Sequence, residues 1–237
     1  MNLIALQIKT SQDFTKNLEH LKELIIKCPN DSIILAPEIV LSGFCYNKMQ
    51  EAADFSIIAI EQIKKLALNK TIALTLISKK DDKFFNTLYI FDKQEIIHTQ
   101  SKVKLFPLGN ELENFSAGYK EDIKIIEING IKIATLICFE LRFPELWQKV
   151  LGADIILNPA MWGIKRKDHY ETISKSLALV NQCFVLAANS ADLNMAKGSA
   201  IISPFGDVFK NDEEEIVLKK IDLDEVSKVR KYINIGL

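Results

Sequence analysis

The chain predicts an α/β domain built on a mixed sheet or on two sheets. Three features carry that expectation. Apolar, β-branched runs alternate with helix-period segments through the first half, hairpins dominate the middle, and the alternation returns before a terminal hairpin. No internal repeat, low-complexity linker or Pro/Gly-rich boundary divides the 237 residues, so one domain spanning 1–237 is expected.

Residues 3–8 read as a buried strand. Phe14, Leu18, Leu21 and Ile25 then recur at three- and four-residue spacing, one face of a helix that Pro29, Asn30 and Asp31 end. Residues 32–36 form a second apolar strand, which runs into Pro37 and Glu38, where proline cannot continue the ladder. The loop 41–46 leads to a helix over roughly 55–69, with Ile58, Ile63 and Leu66 among its apolar positions. Strands follow at 71–77, 85–91 and 96–99, with turn chemistry at Asp81, Asp82 and Lys83. Residues 101–106 look like a further strand stopped by Pro107, and 109–118, which has no period, looks like a loop. Asn129-Gly130 favours the two positive φ angles of a type I′ turn, so 123–128 and 131–137 form a hairpin whose second strand delivers Cys138. Then come a short helix over 144–150 opened by Pro144, a strand at 154–157, the loop 158–163, a helix over 169–181 and a strand at 183–188. The chain closes with strands at 199–202 and 215–221 about the turn 204–207, and a helix near 224–230.

Composition narrows the function. Thirty Lys and Arg against 31 Asp and Glu leave a net charge of −1 with no single-sign block, which excludes an electrostatic footprint for nucleic acid and points to a small-molecule partner. Cys28, Cys45, Cys138 and Cys183 form no CxxC pair and the N-terminus reads as a strand, so a reducing cytoplasm is expected. His20, His98 and His169 lack metal-ligand spacing, so no metal is expected. No stretch approaches the ~20 apolar residues of a membrane span.

Three strand ends carry chemically useful groups: Glu38 after Leu35-Ala36-Pro37, Lys102 before Val103-Lys104-Leu105-Phe106, and Cys138 after Leu136-Ile137. Singly they read as a solvated acid, a surface lysine and a core thiol; Cys183 is read simply as a small core residue. Together they define a possible site, because side chains at a sheet's carboxyl edge project into a crevice from a rigid support. These residues, with Leu41-Ser42-Gly43-Phe44 and the run Cys138-Phe139-Glu140-Leu141-Arg142-Phe143-Pro144-Glu145, resemble the nitrilase superfamily of carbon-nitrogen hydrolases. The resemblance continues through Asn158-Pro159-Ala160, His169-Tyr170, Asn181 to Val185, Asn189, Pro204 to Asp207 and Asp222 to Asp224, nearly the whole chain.

That resemblance implies a four-layer α-β-β-α sandwich with two mixed sheets, and a Glu-Lys-Cys triad that maps onto Glu38, Lys102 and Cys138. A second glutamate of the family, counted seven residues back from Gly118, falls on Glu111, with Glu113 the competitor. Cys138 is then the nucleophile that forms a thioester, Glu38 its general base, and Lys102 with the Phe139 N–H the stabiliser of the thiolate and oxyanion. Crowding Glu38 against Glu111 is expected to raise one of their pKa values. No metal or organic cofactor is required. The loop from Asn158 to Gly163, followed by Lys165, Arg166, His169 and Tyr170, looks most like the ω-amidase branch, which deamidates short dicarboxylate monoamides. Arg142, Lys165 or Arg166 would meet a substrate carboxylate, with Met161 and Trp162 lining the pocket. The alternatives are an N-carbamoyl-amine or ureido-acid amidohydrolase and, from another class, a catalytically silent scaffold. Pairing through helices near 170–180 and the C-terminus is expected to give a homodimer or larger assembly. Lys104 stands where many relatives carry histidine, and the brief segment 190–197 predicts an open pocket rim.

Overall fold

The computed structural model describes residues 1–237. Its elements run β1 (Asn2–Leu6), α1 (Phe14–Lys27), β2 (Ser32–Leu35), α2 (Met49–Leu66), β3 (Lys70–Lys80), β4 (Lys83–Asp92), β5 (Glu95–Ser101), α3 (Glu111–Asn114), β6 (Ile126–Ile128) and β7 (Ile131–Thr135). They continue with α4 (Pro144–Lys149), β8 (Ile155–Ala160), α5 (Lys167–Asn181), β9 (Phe184–Asn189), β10 (Ala200–Ile202), β11 (Val208–Lys210), β12 (Ile216–Lys220) and α6 (Asp224–Tyr232). The strands build two six-stranded sheets, ordered β12-β1-β2-β3-β4-β5 and β11-β10-β9-β8-β7-β6. Each has a parallel centre, β1-β2-β3 or β7-β8-β9, flanked by antiparallel strands, so both are mixed, as expected.

Successive side chains on the first sheet divide between two cores. Leu3, Ala5, Ile33, Leu35 and Ala73 share one continuous core with residues of the second sheet such as Ile133, Ile155, Leu157 and Val185. Their neighbours Ile4, Leu6, Ile34, Ile72 and Leu74 pack instead under Leu18, Leu21 and Ile25 of α1 and Ala59 and Ile63 of α2. A strand buried on both faces must be apolar at every position, which is why these strands appear in the sequence as unbroken runs. The second sheet is covered in turn by Tyr170 and Leu177 of α5 and Val226 of α6, completing the α-β-β-α order. No helix is long and apolar enough to cross a membrane.

The hairpin turn forms as expected, with Asn129 at φ 51° and Gly130 at φ 80°. Three expectations need correction, and one strand went unread. The strand expected at 101–106 stops at Ser101, because Glu140 takes the Val103 N–H and so ends the ladder. The expected loop 109–118 contains the short helix α3. The loop expected from 158 begins later, since β8 pairs with β9 as far as Ala160. Pro159 is tolerated there because β7 has already ended at Thr135, leaving no partner on one side that needs a donor. Finally, β11 is a short, exposed strand that gave no apolar alternation to read.

Candidate active site

Cys138 sits just beyond β7. Leu136 still donates to the Leu157 carbonyl (3.0 Å), and the chain then turns, placing Cys138 at φ 48°, a left-handed conformation unfavourable for a residue with a β-carbon. Two buried polar side chains hold the turn. The Asn158 amide donates to the Leu136 carbonyl, and Glu140 Oε2 accepts the Ile137 N–H at 2.7 Å. The other oxygen of Glu140 accepts the Val103 N–H at 2.6 Å, so one carboxylate joins the residue before Cys138 to the residue after Lys102. Burial pushes the Glu140 carboxyl up to about 7, against the pull of these N–H donors.

Glu38 follows β2, where Ala36 donates to Ala73 O (2.9 Å) and Glu38 N–H reaches across to Ala160 O of the second sheet (3.2 Å). Lys102 follows β5, its N–H on Asn86 O (2.8 Å) and its carbonyl receiving the Gly118 N–H (2.9 Å). Only glycine fits at 118, because a β-carbon there would lie 2.3 Å from Ser101 O. Glu111 opens α3 and accepts the Phe106 N–H on Oε2 at 3.1 Å.

These three segments bring their charges into one buried cluster. Lys102 Nζ lies 2.7 Å from Glu38 Oε1 and 2.7 Å from Glu111 Oε1, and Asn86 Nδ2 adds a 2.8 Å bond to Glu38 Oε1. Glu38 and Lys102 are fully buried and Glu111 nearly so, whereas the competitor Glu113 is exposed. Burial opposes the Lys102 charge, but the field of Glu38, Cys138 and Glu111 prevails and raises the lysine. Of the crowded carboxyls, Glu111 is raised, by desolvation first and by Glu38, with Lys102 acting the other way. Burial, then Glu38, drives the Cys138 thiol well above its ordinary value, although Lys102 pulls it down. The resting group is therefore a thiol. Lys102 pulls its pKa down without making a standing thiolate, so a nucleophilic role for this sulfur would need a base.

The thiol opens on a small cleft of about 250 Å³, part of it open to solvent. Phe106 and Phe139, 5.0 Å apart between ring centroids, form one wall, and Met161 and Trp162 another. Arg142 and Arg166 complete the lining; Arg142 stacks over Trp162 (4.6 Å) and donates to His169 Nδ1 (3.0 Å), while Arg166 lies over Phe106 (5.1 Å). Lys165, the third expected cation, is exposed and not part of the cleft. Trp162 serves as both pocket wall and core aromatic, 4% exposed and 5.5 Å from the Tyr170 ring. The 190–197 segment braces this wall, since Ala196 donates to Trp162 O and Ile164 to Asn194 O, each at 2.8 Å. Lys104 turns away to Glu145 (2.9 Å) and the Phe143 ring (4.2 Å). Cys183 is fully buried in the core, as read.

Asn86, Glu140 and Phe106 were not singled out from the sequence. Glu140 lay inside the quoted nucleophile motif, and Asn86 is the one amide in an otherwise apolar and hydroxylated stretch of β4. Replacing Glu140 with glutamine leaves one acceptor oxygen for two N–H donors and points an amide at the other, a loss of about 1–3 kcal/mol. The raised wild-type carboxyl contributes stability that is lost as pH climbs from the ordinary glutamate range through about 7, and the glutamine does not titrate. Thermal melts are therefore expected to show a stability gap between wild type and Glu140→Gln that narrows over that interval.

A sandwich of two mixed sheets with a buried acid, lysine and thiol at the strand ends is the arrangement of a carbon-nitrogen hydrolase, and residues 3–231 match the family model described as Carbon-nitrogen hydrolase. The chain belongs to that family, the nitrilase superfamily, and is an enzyme of that class. It is 33% identical over 214 residues to 2-oxoglutaramate amidase of Bacillus subtilis (strain 168), covering 85% of this chain and 82% of that protein. A hydrolase in agr operon of Staphylococcus lugdunensis is 30% identical over 215 residues, covering 85% and 92%. The solved carbon-nitrogen hydrolase from Helicobacter pylori G27 shares the fold, with a TM-score of 0.90 over 98% of this chain and 92% of that one, at 19% identity.

Proposed function

We propose that the enzyme hydrolyses the ω-amide of a short dicarboxylate monoamide, releasing ammonia and the diacid through a thioester on Cys138. The observation that carries this reading is the pair of guanidiniums, Arg142 and Arg166, stacked on aromatic rings in the small cleft before Cys138. Neither forms an ion pair with a protein carboxylate, so both are available to an anionic substrate. Similarity to a 2-oxoglutaramate amidase supports the same class.

In this reading Glu38 takes the Cys138 proton as sulfur attacks the amide carbon, and Lys102 Nζ with the Phe139 N–H stabilises the oxyanion. Glu111 holds Lys102 in place. As the tetrahedral adduct collapses, Glu38 returns the proton to the leaving nitrogen and the C–N bond breaks. Water then enters, Glu38 takes its proton, hydroxide adds to the thioester carbon, and the acid leaves as sulfur recovers a proton.

Ammonia release from 2-oxoglutaramate and succinamate tests the proposal. Turnover of a ureido acid to ammonia and carbon dioxide, with none from the monoamides, would replace it with the carbamoyl reading. Turnover of nothing in a panel of amides, ureido acids and nitriles would favour the scaffold. Arg142→Ala is expected to raise KM for the carboxylate-bearing amides by about 10- to 100-fold, the worth of a charged hydrogen bond, with little change for an uncharged amide of equal length. Equal effects on both would remove Arg142 from carboxylate binding.

Self-association accompanies this reading. Leu179 and Val180 on α5 and Tyr232 and Ile233 at the C-terminal end are exposed, which supports a homodimer or larger assembly through these helices. Light scattering is expected to give a multiple of 26.9 kDa, and a mass equal to that value would refute it. A working thiol nucleophile and free cysteines suit a reducing cytoplasm.

A further inference from the structure

Glu38 is fully buried, yet only one of its oxygens is engaged. Oε1 accepts from both Lys102 Nζ (2.7 Å) and Asn86 Nδ2 (2.8 Å), while Oε2 has no hydrogen-bond partner. A bare buried carboxylate oxygen is unfavourable, so concentrating both donors on its neighbour needs a reason. The chemistry supplies one. An oxygen carrying two donors is a poor proton acceptor, and the bare one is a good acceptor.

Asn86 creates much of that asymmetry. It lies on β4, fully buried, with its amide oxygen unpartnered, so the end that meets Glu38 is the only engaged end of the side chain. Turning the amide over would set oxygen against oxygen beside the Lys102-bound Oε1 of Glu38, which fixes its orientation. An apolar side chain such as Leu88 or Ile90, farther along the strand, would fill buried space without orphaning an oxygen. The main chain of Asn86 contributes as well, since its carbonyl accepts the Lys102 N–H at 2.8 Å. One residue thus touches the acid through its side chain and the lysine through its backbone.

We propose that Asn86 is a positioning residue for proton transfer: it anchors Oε1 of Glu38 so that Oε2 stays bare and turned to the Cys138 thiol. The proposal rests on Glu38 being the base. It is consistent with the raised thiol, which burial holds up first and the charge and close approach of the Glu38 carboxylate reinforce. The charged and titratable groups around Glu38 are Lys102, Glu111 and Cys138, with the Tyr46 and Tyr170 hydroxyls also within its field.

The test compares wild type, Asn86→Ala, Asn86→Asp, Glu38→Gln and Glu38→Gln with Asn86→Ala. Ammonia release from the best substrate of the panel gives kcat and KM, and iodoacetamide gives the alkylation rate of Cys138. Asn86→Ala is expected to lower kcat about 100-fold, the cost of a misplaced reacting group, with KM changed less than about threefold. In Asn86→Asp the introduced carboxyl donates to Glu38 only while protonated, so activity relative to wild type should climb as pH falls. Adding Asn86→Ala to Glu38→Gln should slow alkylation less than about twofold further, because the residue acts through Glu38. If Asn86→Ala fails to fold, the near-isosteric Asn86→Asp carries the decision through its pH profile. Three results overturn the proposal while Glu38→Gln is inactive: unchanged kcat in Asn86→Ala, a loss expressed in KM, or a pH-independent ratio for Asn86→Asp. Wild-type turnover and alkylation in Glu38→Gln would instead remove Glu38 as the base, and the proposal with it.

Discussion

In the proposed mechanism Cys138→Ser is expected to lose turnover by about 10⁴-fold or more, because a hydroxyl is far harder to ionise than a thiol and Glu38 would not draw its proton at neutral pH. The surroundings of Cys138 make the effect large. The wild-type thiol is already held well above its ordinary pKa by burial and by Glu38, so as a nucleophile it would rely on a base, and serine would exceed what the proposed base can do. The volume change is small, so a thermal melt should nearly superpose on wild type. Ammonia release and stoichiometric thiol labelling measure the loss together. Retained turnover in the serine variant would place the covalent step elsewhere.

Lys102→Met has a comparable effect on activity and a much larger one on stability. Lys102 is fully buried between two carboxylates 2.7 Å from its ammonium, and methionine leaves Glu38 and Glu111 facing each other without a cation. Breaking a buried ionic cluster in this way costs about 3–5 kcal/mol, enough to unfold a marginal protein. The sign of the pH dependence follows. Without the lysine, the folded pKa values of the facing carboxyls rise above their unfolded values, so stability is present at low pH and is lost as pH rises through them. The variant is expected to melt progressively lower than wild type from mildly acidic to neutral pH, and a pH-independent deficit would show that the carboxylates escape one another. Adding Glu111→Gln to Lys102→Met should recover part of the stability and none of the activity.

The parts of this molecule that read plainly in the sequence are those decided locally or by burial on two faces. Unbroken runs such as Ile33-Ile34-Leu35 marked the central strands because each side chain meets an apolar layer, and Asn129-Gly130 marked its hairpin through backbone preference alone. Glu38 and Cys138 could be located because they follow abruptly on such runs, whereas Lys102, preceded by the mixed run Glu95 to Ser101, stood out only through the stretch Lys102-Val103-Lys104-Leu105-Phe106. What the sequence hid depends on partners distant in the chain. Lys102 lies past the last strand residue because Glu140, 37 residues on from Val103, claims the next N–H. Pro159 stays in a strand because β7 has already ended beside it. The four-residue α3 is held by Glu111 against Lys102, a contact no helical period announces. Asn86 gives no local signal of its meeting with Glu38, 48 residues away.

Glu38 and Lys102 leave one sheet and Cys138 leaves the other, and the Glu38 N–H closes onto Ala160 across the gap. Chemical competence is thus a property of the docked pair of layers, belonging to neither half. A partly folded chain with either sheet formed alone would carry a cysteine without a base, or a base without a cysteine, and would be inert toward amides. With Glu38 as base and Cys138 as nucleophile, activity would therefore act as a certificate of complete folding, arising only once the two halves come into register.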